Sequence, residues 1–332
     1  MSRDFVEASA PARVDLAGGT LDLWPLHVLH PGSVTVNVAI NRRARVRVRP
    51  SSKGFVVRSE GLRLEAHDAG ALLSEPRTAL LGSLLEALAI SEPLEITVAS
   101  GVPFGSGLGG SSAIAVALMG ALESRGGRHL YGVDRVDFVR DVETRVLGRP
   151  AGVQDYFPPL EGGRHTIEFL PGETRAARRE LDPELWARHL ILYDTGASHS
   201  SGMNNWEVFQ ARLAGDRSVE EALEGVRLAA VAMAAAVEAE DFEAMGRALR
   251  EEWDARRRLA PVVSTPTIEA AIDAATTAGA WGGKACGAGG GGCVVFLAPK
   301  DRREAAVTAL EELGRGSVLD VAVENRGLTV EG

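Results

Sequence analysis

The chain has 332 residues, 45% of them hydrophobic and 24% charged, with a formal net charge of −9. That is the composition of a folded globular chain with one large or two medium domains. The acidic balance argues against a nucleic-acid partner and against an anionic membrane surface, and leaves room for local basic pockets that take a phosphorylated substrate. The two cysteines, Cys286 and Cys293, are too few for a disulfide framework, and with no histidine beside them they make a poor zinc site. They read as small core residues. Met1-Ser2-Arg3-Asp4-Phe5 has no apolar signal core and no run of about 18 apolar residues occurs, so a soluble, cytoplasmic protein is expected.

In chain order, the first third predicts strands. Val34, Val36, Val38 and Ile40 alternate with Thr35, Asn37 and Ala39, the period of a half-buried strand. Val46 and Val48 alternate with Arg45, Arg47 and Arg49, whose charges read as a solvated face. Phe55 to Ser59 and Leu62 to Ala66 flank Glu60-Gly61 as a hairpin. Ser74 with Pro76 opens a helix to about Leu88, and Leu94 to Ser100 returns as a strand. A glycine-rich loop follows, then an apolar helical stretch from Ile114 to Leu122 and a second helix from Asp134 to Leu147. Beyond Gly163 come strands at Thr166 to Leu170 and His189 to Asp194. Ser218-x-x-Glu221 reads as a capping box for a helix to about Val237. Phe242, Met245, Leu249 and Trp253 mark the next helix, and Thr265-Pro266 opens another. The chain closes as strand (Gly292 to Leu297), helix (Arg302 to Leu313) and strand (Val318 to Val323). The layout is α+β, in two joined halves of residues 1–160 and 161–332.

The richest segment is Val102-Pro103-Phe104-Gly105-Ser106-Gly107-Leu108-Gly109-Gly110-Ser111-Ser112-Ala113. A glycine loop ending in two hydroxyls at a helix start offers backbone N–H groups, a positive helix end and oxygen ligands together. That suits a phosphate chain and its magnesium ion. Gly105-x-Gly107-x-x-Gly110 also matches the dinucleotide fingerprint, but that fold needs a second strand ending in an acidic residue roughly twenty positions on. Here the helix leads to Gly126-Gly127 and another helix. No Gly-Lys-Ser/Thr closes the loop, and the protein-kinase signatures Val-Ala-x-Lys, His-Arg-Asp and Asp-Phe-Gly are absent. A tight turn without a ligand is the remaining alternative.

Two further segments stand out. One is Pro11-Ala12-Arg13-Val14-Asp15-Leu16-Ala17-Gly18-Gly19-Thr20-Leu21-Asp22-Leu23. The other is Gly279 to Cys293, with Lys284 and the run Gly289-Gly290-Gly291-Gly292. Four consecutive glycines are conformationally costly, and close backbone approach to a ligand would account for them.

With these three segments, in this order over nearly the whole chain, the sequence resembles the GHMP kinase superfamily. The middle loop is similar to that family's Pro-x-x-x-Gly-Leu-Gly-Ser-Ser-Ala ATP loop, with Gly110 replacing one serine. The resemblance implies a ribosomal-protein-S5-like first half and a ferredoxin-like second half, with ATP between them. It assigns Pro103, Gly105, Ser106, Gly107, Leu108, Gly109, Gly110, Ser111, Ser112, Gly289 and Gly290 to the nucleotide. Ser112, just before Ala113, resembles the Mg²⁺-binding serine, and Glu143 the carboxylate that completes the metal site. Asp155 resembles the catalytic aspartate, with Arg13 supporting it. These residue types suit phosphoryl transfer, which needs an oxygen-lined metal site and a group that accepts or orients the departing proton. A positive Arg13 would keep Asp155 ionised.

For the acceptor, Ala17-Gly18-Gly19-Thr20-Leu21-Asp22-Leu23 is similar to the Ala-Gly-Gly-Gly-Thr-Asp-Leu pattern of the heptose-phosphate and fucose kinase branch, with one glycine missing and Leu21 inserted. The resemblance implies a sugar or sugar phosphate held by Gly19, Thr20, Asp22 and Asp155 and phosphorylated at its anomeric hydroxyl. Carboxylates suit vicinal hydroxyls, because they accept from both. Tyr193 to Gly202 resembles a loop of the same branch and adds Thr195, Gly196 and Ser198. Trp206 is read as core or as a pocket wall. Arg42, Arg43 and Lys284 are possible anion partners. The alternatives are a mevalonate- or homoserine-type kinase and a non-catalytic ATP-binding protein of the same fold.

Overall fold

The computed structural model describes residues 5–127, 129–130, 134–197 and 201–332. Its strands, in chain order, are β1 (Val6–Ala17), β2 (Val34–Pro50), β3 (Phe55–Ser59), β4 (Leu62–Ala66), β5 (Leu94–Ala99), β6 (Arg164–Leu170), β7 (Glu173–Arg179), β8 (Leu190–Asp194), β9 (Gly282–Ala285), β10 (Cys293–Leu297), β11 (Ser317–Val318) and β12 (Thr329–Glu331). One sheet runs β12-β1-β2-β5-β3-β4, with β6 also on β2 and β7 on β6; the other runs β11-β8-β10-β9.

The two alternating runs expected between residues 34 and 49 form one strand of 17 residues. Their continuity depends on a bulge. β1 and β2 pair antiparallel, but the register jumps from Pro11↔Arg43 to Ala12↔Ile40, leaving Asn41 and Arg42 unmatched. An extra length of chain in one strand bends it and increases its local twist. On one side of the bulge, Ala8, Ala10, Val46 and Val48 pack into a core shared with the helix Gly110–Ser124. On the other side, Ala12, Val14, Leu16, Val34, Val36, Val38 and Ile40 share a core with Ala230 and Met233 of the helix Arg217–Glu238. A single two-stranded ribbon therefore serves both halves. The solvated arginine face is present: Arg47 reaches Glu7 at 2.7 Å, and Arg49 and Arg58 reach Glu95 at 2.8 and 2.9 Å.

The division at residue 160 does not hold at the level of the sheets. β6 and β7 lie beyond it, yet β6 continues the first sheet by pairing Arg164 to Glu168 with Val38 to Val34. The chain also returns to that sheet at its end, where β12 pairs with Glu7 to Ser9 of β1. Hydrogen-bonding demand along β2 overrides sequence proximity here.

Other boundaries moved for local reasons. The helix expected from Ser74 to Leu88 is confined to Ala79–Ala87, and a separate short helix, Ala69–Leu73, precedes it. Pro76 cannot donate a helical hydrogen bond, and the Thr78 hydroxyl donates to the Leu72 carbonyl at 2.8 Å in the turn between them. The last strand shrinks to Ser317–Val318, with Val323 bridging singly to Ile40. The helix expected to start at Ser218 is capped instead by Asp216, whose carboxylate accepts from Ser218 N and Val219 N. Asp216→Ala should therefore lower stability by about 0.5–2 kcal/mol in urea unfolding, whereas Ser218→Ala should cost only a few tenths.

Candidate active site

The glycine loop leaves β5 and enters the helix Gly110–Ser124 through Gly109, which caps it at φ 69°. Gly105 and Gly107 also have positive φ, 70° and 76°, a region that glycine enters without steric cost. The first turn presents Gly110, Ser111 and Ser112 with the unpaired N–H groups of a helix start. Pro103 is exposed at the mouth of the loop, while Ser106 and Leu108 are buried beneath it.

The glycines of the third segment serve a different purpose from the one expected. A Cβ on Gly107 would stand 2.2 Å from the Cys286 carbonyl oxygen, and one on Gly292 would stand 2.6 Å from that of Ser106. Cys293 N donates to the same Ser106 oxygen at 2.8 Å. The two glycine segments thus lie directly against each other. Gly289 and Gly290 approach a different neighbour, the carbonyl of Val263: Gly290 N donates to it at 2.6 Å, and a Cβ on Gly289 would reach it at 2.4 Å. Close backbone approach is real, but at these positions the partner is the protein itself. Burial pushes the Cys286 thiol up to about 12 and raises that of Cys293 as well, in keeping with their reading as core residues.

Arg13 ties this loop to the predicted catalytic aspartate. Its backbone N donates to Leu108 O at 3.0 Å. Its Nη1 donates to the Gly107 carbonyl. Its Nε donates to Asp155 Oδ1 at 2.9 Å, and Nη2 stands 2.8 Å from the same oxygen. The Arg13 side chain is 4% exposed and that of Asp155 is 30% exposed, so the carboxylate can be reached from outside while its counter-charge cannot. Burial works against the Arg13 charge, but Asp155 and Asp15 outweigh it and raise the pKa further. The carboxylate at 155 and the loop at 105–112, far apart in sequence, thus share one site.

The hydroxyl and carboxylate expected to hold a metal also meet, with a shift of one position. Ser111 Oγ donates to Glu143 Oε1 at 2.8 Å, while Ser112 is buried at 4% exposure on the helix's inner face. Counting forward from Gly107-Leu108-Gly109 picks out Ser111; counting back from Ala113 picks out Ser112. Glu143 Oε2 accepts from the phenol of Tyr156, the residue after Asp155. Burial raises the Glu143 pKa, and the Tyr156 and Ser111 hydrogen bonds offset it only in part. Among the described residues no cluster of three or more His, Cys, Asp or Glu could hold a metal. A magnesium ion still fits, because it takes one or two protein oxygens and completes its shell with phosphate oxygens and water.

The acceptor segment folds beside this pair. Asp22 is 6% exposed, and its Oδ2 accepts from Gln154 N at 3.2 Å, one residue before Asp155. Burial pushes its carboxyl up to about 7, with the nearby charges of Asp155 and Asp15 adding to the shift. Gly19 is fixed by its carbonyl, which accepts from Arg256 Nη2 at 2.7 Å. Thr20, held at φ 82°, donates its hydroxyl to Asn205 Oδ1 at 2.9 Å. Thr195 instead spends its hydroxyl on the Gly292 carbonyl at 2.7 Å, and Gly196 turns on Asp194 Oδ1. These two brace the glycine segments, away from Asp22's hydrogen bonds. Ser198 lies outside the described residues. Trp206 stacks on Phe209 at 5.1 Å, which places it with the core.

Sequence reasoning missed the charges beneath the site. Lys284, one of the possible anion partners, is fully buried between Asp15 Oδ2 at 2.8 Å and Glu252 Oε1 at 3.3 Å. Glu252 in turn holds Arg256 at 2.6 Å. Burial would raise the Asp15 pKa, but Lys284, Arg256 and Arg13 overcome it and hold the carboxyl below its ordinary value. The signal was present: Asp15 sits among apolar strand residues, and Glu252 and Arg256 sit at helical spacing beside the apolar stripe. Arg42 and Arg43 are likewise engaged, donating to the carbonyls of Asp320, Arg326 and Gly327.

Two family models match the chain: the GHMP kinases N terminal domain over residues 77–163 and the GHMP kinases C terminal model over 233–316. A mevalonate kinase from Aeropyrum pernix is 30% identical over 322 residues, covering 93% of this chain and 94% of that one. The chain belongs to the GHMP kinase family. A D-glycero-alpha-D-manno-heptose 7-phosphate kinase from Campylobacter jejuni is 27% identical, covering 69% of this GHMP kinase and 68% of its own length. The crystal structure of a D-glycero-D-manno-heptose 1-phosphate kinase from Bacteriodes thetaiotaomicron superposes with a TM-score of 0.77 at 22% identity, over 98% and 99% of the two chains. The two-sheet α+β architecture is thus the GHMP kinase fold. No described helix is long and apolar enough to cross a membrane.

The Asp22 environment makes a signed prediction. A carboxyl whose folded pKa is about 7, against an ordinary value near 4, favours the protonated form. Its stabilisation is present below about pH 4 and is lost as pH rises towards 7. Asp22→Asn should therefore match the wild type in stability near pH 4 and exceed it increasingly up to about pH 7, with the gap constant above. Urea unfolding across pH 4–8, without ligand, measures this.

Proposed function

We propose that this chain is an ATP- and Mg²⁺-dependent sugar kinase that phosphorylates a hydroxyl, the anomeric one, of a sugar or sugar phosphate. The observation that carries the phosphotransfer reading is the Arg13 fork, which joins Asp155 to the glycine loop through the Gly107 carbonyl. It sets a partly exposed carboxylate beside a helix start suited to phosphates.

The roles follow from this arrangement. Asp155 accepts or orients the proton leaving the acceptor hydroxyl. Arg13 fixes that carboxylate in place through its two-nitrogen contact. Ser111 and Glu143 are the oxygens that would hold magnesium, and Tyr156 orients Glu143. When bound, the metal neutralises charge on the phosphate chain. The glycine loop supplies N–H groups and, by packing on the 286–292 segment, a rigid back wall. Asp22 supports the sugar reading: a buried carboxyl held by the backbone of Gln154, next to Asp155, can accept from a sugar hydroxyl.

A mevalonate-type acceptor is the second reading, and the length and identity of the Aeropyrum pernix match favour it. Phosphate transfer from radiolabelled ATP to galactose, fucose, heptose 7-phosphate and mevalonate separates the two.

Asp155→Asn should lower kcat by roughly 100-fold or more, the scale of a lost proton acceptor, while ATP binding measured by calorimetry persists. Near-normal turnover would remove Asp155 from the mechanism. Ser111→Ala should raise the Mg²⁺ concentration needed for half-maximal activity several-fold, whereas Ser112→Ala should leave it near the wild-type value. The opposite order in a magnesium titration would return the metal role to Ser112.

A further inference from the structure

We infer that Gln154 is a specificity-determining residue of the acceptor site, its carboxamide oxygen receiving a substrate hydroxyl, so that the site takes a neutral, polyhydroxylated end of the substrate and rejects a carboxylate. The inference rests on the sugar-kinase reading above and adds a residue and a selection rule to it.

Gln154 is 6% exposed and its main chain is pinned from both sides. Its N–H donates to Asp22 Oδ2 at 3.2 Å, and its carbonyl accepts from Asn37 Nδ2 at 3.0 Å. Its amide nitrogen lies over Gly19, 2.7 Å from where a Cβ there would be, with Asp15 Oδ2 at 2.8 Å from the same point. The carboxamide is thus held against the acceptor segment, yet among the described residues its Oε1 has no hydrogen-bond partner. Two more acceptors around it are unpaired, Asn37 Oδ1 and Asp15 Oδ1, on residues that face each other across β1 and β2. An unsatisfied buried acceptor is costly, so three together call for donors.

The neighbouring cations are already committed. Lys284 lies on Asp15 and Glu252, Arg256 on Glu252 and the Gly19 carbonyl, and Arg13 on Asp155 and the Gly107 carbonyl. A carboxylate would meet acceptors and no spare cation; a polyol brings one O–H donor per hydroxyl.

The test uses the full-length protein and Gln154→Leu, which keeps the volume and removes the amide. Thermal shifts are read with galactose, fucose, heptose 7-phosphate or mevalonate and no nucleotide, followed by steady-state kinetics. The expected result is a wild-type shift with at least one sugar and none with mevalonate. The variant should melt at or above the wild-type temperature unliganded, lose the sugar shift, and show a sugar KM raised about tenfold or more with the ATP KM within about twofold. An unchanged sugar KM overturns the role of Gln154, as does a variant that melts several degrees lower while still binding sugar. If the variant does not fold, the wild-type panel decides: a shift with mevalonate, or with none of the four, overturns the selection rule. Sugar binding that depends on Gln154 without any phosphate transfer would sink the kinase reading and leave this inference standing.

Discussion

The arrangement depends on a buried charge network that crosses from one half of the molecule to the other. Lys284 of β9 stands between Asp15 of β1 and Glu252 of the helix Phe242–Arg256, and Arg256 closes the circuit onto Gly19. All four charged side chains are essentially excluded from water. Deleting one partner of such a network would strand the others, at a cost on the order of 3–5 kcal/mol, although an apolar replacement of the whole set could be nearly neutral. What the network contributes is therefore register. With Lys284 locked to Asp15, the segment that follows β9 is delivered against the loop at 105–107, and Arg13, two residues before Asp15 on the same strand face, is delivered against Asp155.

Each active-site group is held by a neighbour with its own reason to be there. Arg13 is aligned by the Leu108 carbonyl and by strand pairing on β2. Glu143 is aligned by Ser111 from one helix and by Tyr156 from the turn that carries Asp155. Asp22 is aligned by the backbone of Gln154. The turn at 154–156 therefore reaches Asp22, Arg13 and Glu143 through three consecutive residues. A displacement there would disturb all three contacts at once, and the packing of Tyr156 and Phe157 into the first core holds the turn in place.

Much of this was legible in the sequence. Alternation located β2, the Glu60-Gly61 turn located β3 and β4, the Thr265-Pro266 pair located a helix start, and the three glycine-rich segments located the candidate site. The errors share a cause: each concerned a contact between residues distant in the chain. Nothing local says that Gly107 must admit the Cys286 carbonyl or that Gly289 and Gly290 lie on the Val263 carbonyl, so the run at 289–292 predicts close backbone approach without naming the protein itself as the partner. Nothing local distinguishes Ser111 from Ser112, because only the direction of the helix decides which hydroxyl meets Glu143. Residues 164–179 were assigned by proximity to the second half, yet the free edge of β2 claims them. Lys284 stands as one of three possible anion partners in the sequence, because its two anions lie 269 and 32 positions away.

The shared ribbon also limits how this molecule can move. β1 and β2 run without interruption through both cores, and the closing segment ties the second sheet back to the first by way of Val318 on β8, Val323 on Ile40 and β12 on β1. Rotating one half as a rigid body against the other would shear this ribbon and strip those pairings together. Clamshell opening about a hinge between the halves is therefore disfavoured, and motion that keeps these pairings is confined to segments outside the ribbon.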